Sequence, residues 1–191
     1  IYVSTLQRTH QTAAPLARHL GLTPIVEPDL REVHLGEWEG TFRQRVAEGG
    51  PLVAQLFQEG RWDVIPGAET EDAFAARTTA AVNRIARAHP GERVVAVCHG
   101  GVIGQVVATA SRGGNAFAFS GADNTSISRL VVVGEVRLSV SETNPARRQP
   151  AMLGGNSTPR VRNWSATIVL VEPTGSLRNR IGCWVLSDPR R

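Results

Sequence analysis

The run Val94-Val95-Ala96-Val97-Cys98, closed by His99-Gly100-Gly101 and followed by the apolar stretch Val102–Ala110, constrains the fold most. Five consecutive apolar or small residues, rich in valine, suit a strand covered on both faces, the kind found in parallel sheets. The glycines open a turn, and the stretch after them reads as a helix over 102–110. A strand, a tight turn and a helix in that order belong to an α/β layered fold, whose ligands sit at the carboxyl ends of the strands.

The rest of the chain fits such a layer. Ile1–Ser4 reads as a strand and Thr9–Leu20 as a helix, with Ala13, Leu16, Ala17 and Leu20 on one face and Gly21 as its cap. Pro24–Glu27 suits a short strand and Leu30–Gly40 a loop. Phe42–Phe57 is helical but must break at Gly49-Gly50-Pro51. Arg61–Ala68 is a loop. Thr70 then caps a second amphipathic helix that ends at Pro90-Gly91. Arg129–Val133 and Val136–Val140 form a hairpin around Gly134-Glu135, and strand-like stretches recur at Ala166–Val171 and Cys183–Leu186.

Charge divides the chain. Residues 1–136 hold twelve Arg against fourteen Asp and Glu, whereas residues 137–191 hold nine Arg against three, so the net charge of +4 belongs to the tail. No Lys occurs. The tail's arginines are scattered rather than blocked, which argues against a nucleic-acid partner. No apolar stretch is long enough to cross a bilayer and no signal peptide stands at residues 1–11, so the expectation is a cytoplasmic protein without a membrane partner. Cys98 and Cys183 lack a metal-type spacing and read as inert thiols; no cofactor and no metal are expected.

Three positions carry candidate chemistry. Arg8 stands between the first strand and the first helix, where a guanidinium can clamp an oxyanion with two parallel hydrogen bonds; its alternative is a solvent-facing Arg. His99 with Gly100 and Gly101 stands at a helix start, where free amides attract anions and glycine lets a phosphate approach the backbone; its alternative is a core histidine at a tight turn. Glu69, after Pro66-Gly67, is a candidate general acid or a dipole-compensating residue. A dinucleotide-binding turn is a weaker reading, because His99 replaces the first glycine of the fingerprint.

Together these pieces resemble the histidine phosphatase superfamily, the phosphoglycerate mutase-like branch 1. The resemblance rests on five segments in order: Ser4–Ala13 on S-x-L-x-R-[AT]-x-Q-T-A, Leu30-Arg31-Glu32 with Gly36–Gly40 on L-x-E…G-x-W-E-G, Pro66–Thr70 on P-G-[GA]-E-[ST], Val95–Gly101 on the strand ending in H-G-G, and Asp123–Ser128 on the late N-T-S-I-S segment. It covers residues 1 to about 133. The resemblance implies a three-layer α/β/α fold with a mostly parallel sheet, and hydrolysis of a small phosphorylated substrate through a phosphohistidine. It assigns Arg8, Gly100 and Gly101 to phosphoryl binding, His99 to the phosphate pocket and Glu69 to proton transfer. No R-H-G occurs in the sequence, so the resemblance also implies that the first strand, the nucleophile it bears and a second Arg are missing. The expected domain is 1–140, followed by a basic, poorly matched and disordered tail at 141–191, and the chain alone is expected to be inactive. The readings left open are a phosphate-binding remnant and a mutase-type phosphotransferase. A short lid between Gly40 and Pro66 favours a phosphatase, with Trp38, Phe42 and Trp62 on the pocket rim. The substrate is not legible. Oligomeric state is open, a homodimer included.

Overall fold

The computed structural model describes residues 1–111, 116–119, 122–132, 138–142 and 167–173. Its strands are β1 (Tyr2–Val3), β2 (Ile25–Val26), β3 (Val94–Cys98), β4 (Ile127–Val132), β5 (Leu138–Glu142) and β6 (Thr167–Pro173). Its helices are α1 (Gln7–Leu20), α2 (Phe42–Glu48), α3 (Pro51–Glu59), α4 (Glu71–Ala88), α5 (Gly100–Ala110) and α6 (Ala116–Phe119). Single 3-10 turns cover Pro28–Leu30, Gly36–Trp38 and Trp62–Val64.

The strands form one sheet in the order β2-β1-β3-β6-β4-β5. β1 pairs in parallel with both β2 and β3, and β6 pairs in parallel with β4; the β3–β6 and β4–β5 pairings are antiparallel. Alternation along the strands separates two faces. Tyr2, Val94, Ala96 and Cys98 point into the larger core, with Phe74 and Ile85 of α4 and Val102 and Val106 of α5. Val3 and Val97 point the other way, against Ala13 of α1. Helices therefore cover both faces, and the α/β/α layering implied by the resemblance is present.

β6 lies beyond the expected domain of 1–140: residues 167–173 form a strand between β3 and β4, with Val94 opposite Val171 and Ile127 opposite Ile168. The apolar run read at 166–171 supplies it. The rest of 143–191, including the expected strand at 183–186 and Cys183, lies outside the described residues.

Several boundaries move by a turn. α1 starts at Gln7, so Arg8 lies in its first turn rather than ahead of it. α5 starts at Gly100, which makes His99 its N-cap. The break at 49–51 is as read: Gly49 and Gly50 take φ of 74° and 110°, and Pro51 opens α3. Thr70 caps α4 through its hydroxyl, which accepts from the Ala73 amide at 3.2 Å.

Candidate functional site

The site forms where β1 and β3 hand over to helices. Both strands run the same way, so Ser4 after β1 and His99 after β3 arrive at one sheet edge. There His99 is completely buried, as are Ser4 and Thr9. Arg8 Nε donates to His99 Nδ1 at 3.2 Å. Nδ1 must then hold a lone pair, which leaves the proton of the neutral ring on Nε2. Nε2 lies 2.8 Å from Ser4 Oγ and donates to it. Ser4 Oγ also accepts from the Leu6 amide at 3.2 Å and has its own proton for Thr9 Oγ1 at 3.2 Å. Thr9 Oγ1 donates in turn to Leu6 O at 2.8 Å. A chain of hydroxyls thus sets the tautomer of His99 and, through it, the direction of Arg8.

Burial, then the charges of Arg8, Arg31 and Arg77, pushes His99 down to about 3. The ring is therefore neutral at physiological pH. The sequence reading allowed His99 to hold charge near neutrality or to donate to a phosphoryl oxygen; here both ring nitrogens are spent within the protein. Arg8 is half-buried, and desolvation lowers its pKa against the raising effect of Glu32.

Glu32 is the residue that sequence reasoning passed over. It stands next to Arg31 in a charged loop and reads there as solvated, yet it is 8% exposed. Its Oε2 accepts from the Gly101 amide at 3.2 Å and its Oε1 from the Val33 amide at 3.0 Å. The carboxyl group therefore occupies the start of α5. A Cβ at position 101 would fall 2.5 Å from Glu32 Oε1, so only glycine permits the approach. Burial pushes Glu32 up to about 7, against the lowering effects of the two amides and of Arg8 and Arg77.

Glu69 sits elsewhere. Its Oε1 accepts from Arg77 Nε at 2.6 Å and its Oε2 from Arg77 Nη2 at 2.8 Å. Arg77 spends its remaining protons on the carbonyls of Asp29, Arg31 and Glu32 at 2.7, 2.7 and 3.1 Å. The Glu69–Arg77 pair thus wraps the 29–32 turn and holds the backbone from which Glu32 points inward. The acid role expected of Glu69 does not fit these surroundings, because Arg77 engages both of its oxygens. The 34–38 segment is fixed as well. Glu69 N donates to His34 O at 2.9 Å and Glu37 N to Pro66 O at 3.0 Å, and Leu35 bridges Ala68.

An open cavity of about 370 Å³ adjoins these groups. Arg8 and Glu32 line it, with Leu6, Leu35 and Phe42 as apolar wall and Arg31, Glu39 and Arg43 as charged wall. Of the aromatic residues expected at the rim, Phe42 lines the cavity, whereas Trp38 and Trp62 are buried in the core at 7% and 3% exposure. Cys98 is buried, and desolvation pushes its thiol up to about 12. Among the described residues no cluster of three or more His, Cys, Asp or Glu could hold a metal, and no helix is long and apolar enough to cross a membrane.

The match to known families falls on this scaffold. The model of the histidine phosphatase superfamily (branch 1) matches residues 1–144, which takes in every element of the site. The chain belongs to that superfamily. Phosphoglycerate mutase-like protein 4 of Arabidopsis thaliana is 42% identical over 106 residues, 54% of this chain and 46% of that one. The metal-independent phosphoserine phosphatase of the same plant is 38% identical over 106 residues, 54% and 44% of the two chains. The glucosyl-3-phosphoglycerate phosphatase of Mycobacterium tuberculosis is 31% identical over 111 residues, 54% and 50%. The chain spans about half the length of the curated relatives it matches. No solved structure matches it significantly. In this histidine phosphatase superfamily chain the matched span runs from β1 through β5, and β6 lies beyond it.

Proposed function

We propose that the protein is a phosphomonoester hydrolase of the phosphohistidine type, in which this chain supplies the phosphoryl-binding Arg8 and the proton-transfer residue Glu32. The observation that carries the reading is the meeting of three groups at one strand edge. Arg8 is aimed by His99, the α5 start offers the Gly100 and Gly101 amides, and a buried carboxyl group that titrates near neutrality lies on the Gly101 amide. Superfamily membership and relatives named as phosphatases support the same reaction class.

In this reading a phosphoryl group displaces the Glu32 carboxyl from the Gly101 amide and binds between that helix start and Arg8, so the charge of the transferring group is neutralised without a metal. Protonated Glu32 gives its proton to the leaving alkoxide oxygen as the P–O bond breaks. The carboxylate then takes a proton from water as it attacks the phosphoenzyme, which restores the acid. A pKa near 7 suits both half-reactions. The phosphohistidine itself needs an open imidazole nitrogen. His99 has none, and no histidine lines the cavity among the described residues. The 191-residue chain is therefore expected to bind phosphate with little or no turnover.

Titration calorimetry with inorganic phosphate or vanadate tests this on the full chain. Wild type binds, and Arg8→Ala and His99→Ala each weaken binding roughly tenfold or more, the scale of a lost charge-assisted hydrogen bond. Equal affinity in all three proteins removes both residues from the site. The second reading, a non-catalytic phosphate binder, is favoured by the spent nitrogens of His99; it predicts the same binding and no trapped phosphohistidine in the complete protein.

A further inference from the structure

Two acceptors compete for one donor at the start of α5. The Gly101 amide donates to Glu32 Oε2 at 3.2 Å, and the proposed phosphoryl position uses that same amide. The carboxyl group is closely seated. A Cβ at position 101 would fall 2.5 Å from Glu32 Oε1, and Oε1 itself accepts from the Val33 amide at 3.0 Å. Glu32 is thus an internal ligand: a buried acidic side chain resting where a tetrahedral anion would rest. The two cannot hold the amide together.

Glu32 has a place to go, because it also lines the cavity, beside Leu6, Val33 and Leu35. A carboxyl group that moves there loses the Gly101 amide and faces an apolar wall with a dianion close by. The incoming anion also takes the charge of Arg8, which otherwise favours the carboxylate. Each of these changes disfavours the ionised form and spares the acid. The displaced side chain must therefore carry a proton.

The groups around it do not take over that task. Arg8 and Arg77 act on Glu32 from α1 and α4, and Arg31 and Arg43 stand on the cavity wall; arginine keeps its charge throughout the neutral range. His99 is neutral and Cys98 keeps its thiol proton. Glu69 gives both oxygens to Arg77, and Glu39 gives Oε1 to the Leu35 amide. The exchange turns on Glu32.

We infer that Glu32 is a proton-gated plug of the anion site: a phosphorylated ligand enters as Glu32 takes up one proton from water, and loss of that proton returns the carboxylate to Gly101 and expels the anion. This rests on the phosphoryl-binding role proposed for Arg8 and the α5 start. It adds that binding itself selects the protonated acid needed by the leaving group, and that product phosphate leaves by the same exchange in reverse.

The test is calorimetric titration of the full chain with inorganic phosphate from about pH 6 to about pH 9, on wild type and Glu32→Gln. Two buffers of different ionisation enthalpy at each pH count the protons taken up. Phosphate's own titration is common to both proteins and cancels in their difference. Glutamine keeps the shape of the plug but cannot titrate, and a melting curve shows that the variant is folded. Above pH 7 wild type should take up roughly one proton more per phosphate than Glu32→Gln. The affinity gap should widen there about tenfold per pH unit in favour of the variant, and stay constant below about pH 6. Sulfate, a tetrahedral dianion of fixed charge over this range, gives an independent count on wild type alone: one proton per sulfate above pH 7 supports the plug, and none overturns it. Equal proton uptake and a constant affinity gap at every pH, with phosphate bound by both proteins, overturn the plug and leave the phosphoryl site standing. Failure of both proteins to bind phosphate at every pH overturns the Arg8 reading and this one with it.

Discussion

Replacing Glu32 by Gln should make stability more dependent on pH, because it removes one of two buried groups that titrate in opposite senses. Glu32 has a folded-state pKa of about 7 against 4.5 for the free side chain. Between those values the native state holds a proton that the unfolded chain has released. The stabilisation is full below pH 4.5 and is lost as pH rises through 7, at a cost of about 3 kcal/mol. His99 does the reverse. Its folded-state pKa is about 3 against 6.5, so the unfolded chain takes up the extra proton. Its stabilisation is full above pH 6.5 and falls away towards pH 3, by about 4 to 5 kcal/mol. From pH 4.5 to 6.5 the two contributions cancel. Glu32→Gln leaves His99 unopposed, so the variant should gain about 1.4 kcal/mol per pH unit in that window relative to wild type. Urea unfolding at a series of pH values measures this as the gap between the two proteins, in which every other titrating group cancels. A mispaired glutamine amide beside Gly101 shifts the gap equally at all pH values and leaves its slope intact. A gap that stays constant from pH 4.5 to above 7 would refute the burial argument for Glu32.

Ser4→Ala removes the acceptor for His99 Nε2–H and leaves a buried donor unpaired. It should cost about 1 to 3 kcal/mol and move the ring proton to Nδ1, seen in the ring nitrogen chemical shifts, with weaker phosphate binding as Arg8 loses its acceptor. An unchanged tautomer would show that Ser4 does not set it. Gly36→Ala puts a Cβ onto Pro66 O and Ala68 N at a φ of 54°. The urea midpoint should fall by the equivalent of about 3 kcal/mol, and a loss under about 1 kcal/mol would mean that the 36–40 and 66–68 segments separate freely. Arg77→Ala strips three carbonyls and Glu69 of their donor, at a cost of about 3 kcal/mol or more. Arg77→Lys should not rescue it, since one ammonium cannot reach all four partners; full recovery would reduce Arg77 to a simple counter-charge.

Much of this was legible in the chain. Val94–Cys98 announced a buried strand because five apolar residues leave no face for water, and the turn after it placed His99 and the glycines at a strand end. Glu69 and Glu32 show where the reading stopped. Both lie in loops, and helix-start geometry favoured Glu69. What separates them is a partner: Arg77 reaches back from the middle of α4 to take Glu69, and no spacing along the chain reveals that pairing. Glu32 gave no sign of its own burial, since Arg31 beside it is exposed and the residue its carboxyl group meets, Gly101, is remote in sequence. The place of β6 was equally hidden. Its run of five aliphatic or β-branched residues, Thr167 to Val171, marked a strand, but which edges it would meet depends on pairing between distant segments, which composition does not encode.

That strand sets an order of assembly. β2, β1 and β3 can pair once residue 98 has been made, and β4 can meet β5 soon after residue 142, yet the two groups share no hydrogen bond until residues 167–173 arrive between them. During synthesis the growing chain therefore carries two open strand edges besides those of the outer strands β2 and β5, one on β3 and one on β4, each a template for another chain. The family match ends at residue 144, ahead of β6. A boundary drawn by similarity would cut away the segment that joins β3 to β4 in this sheet.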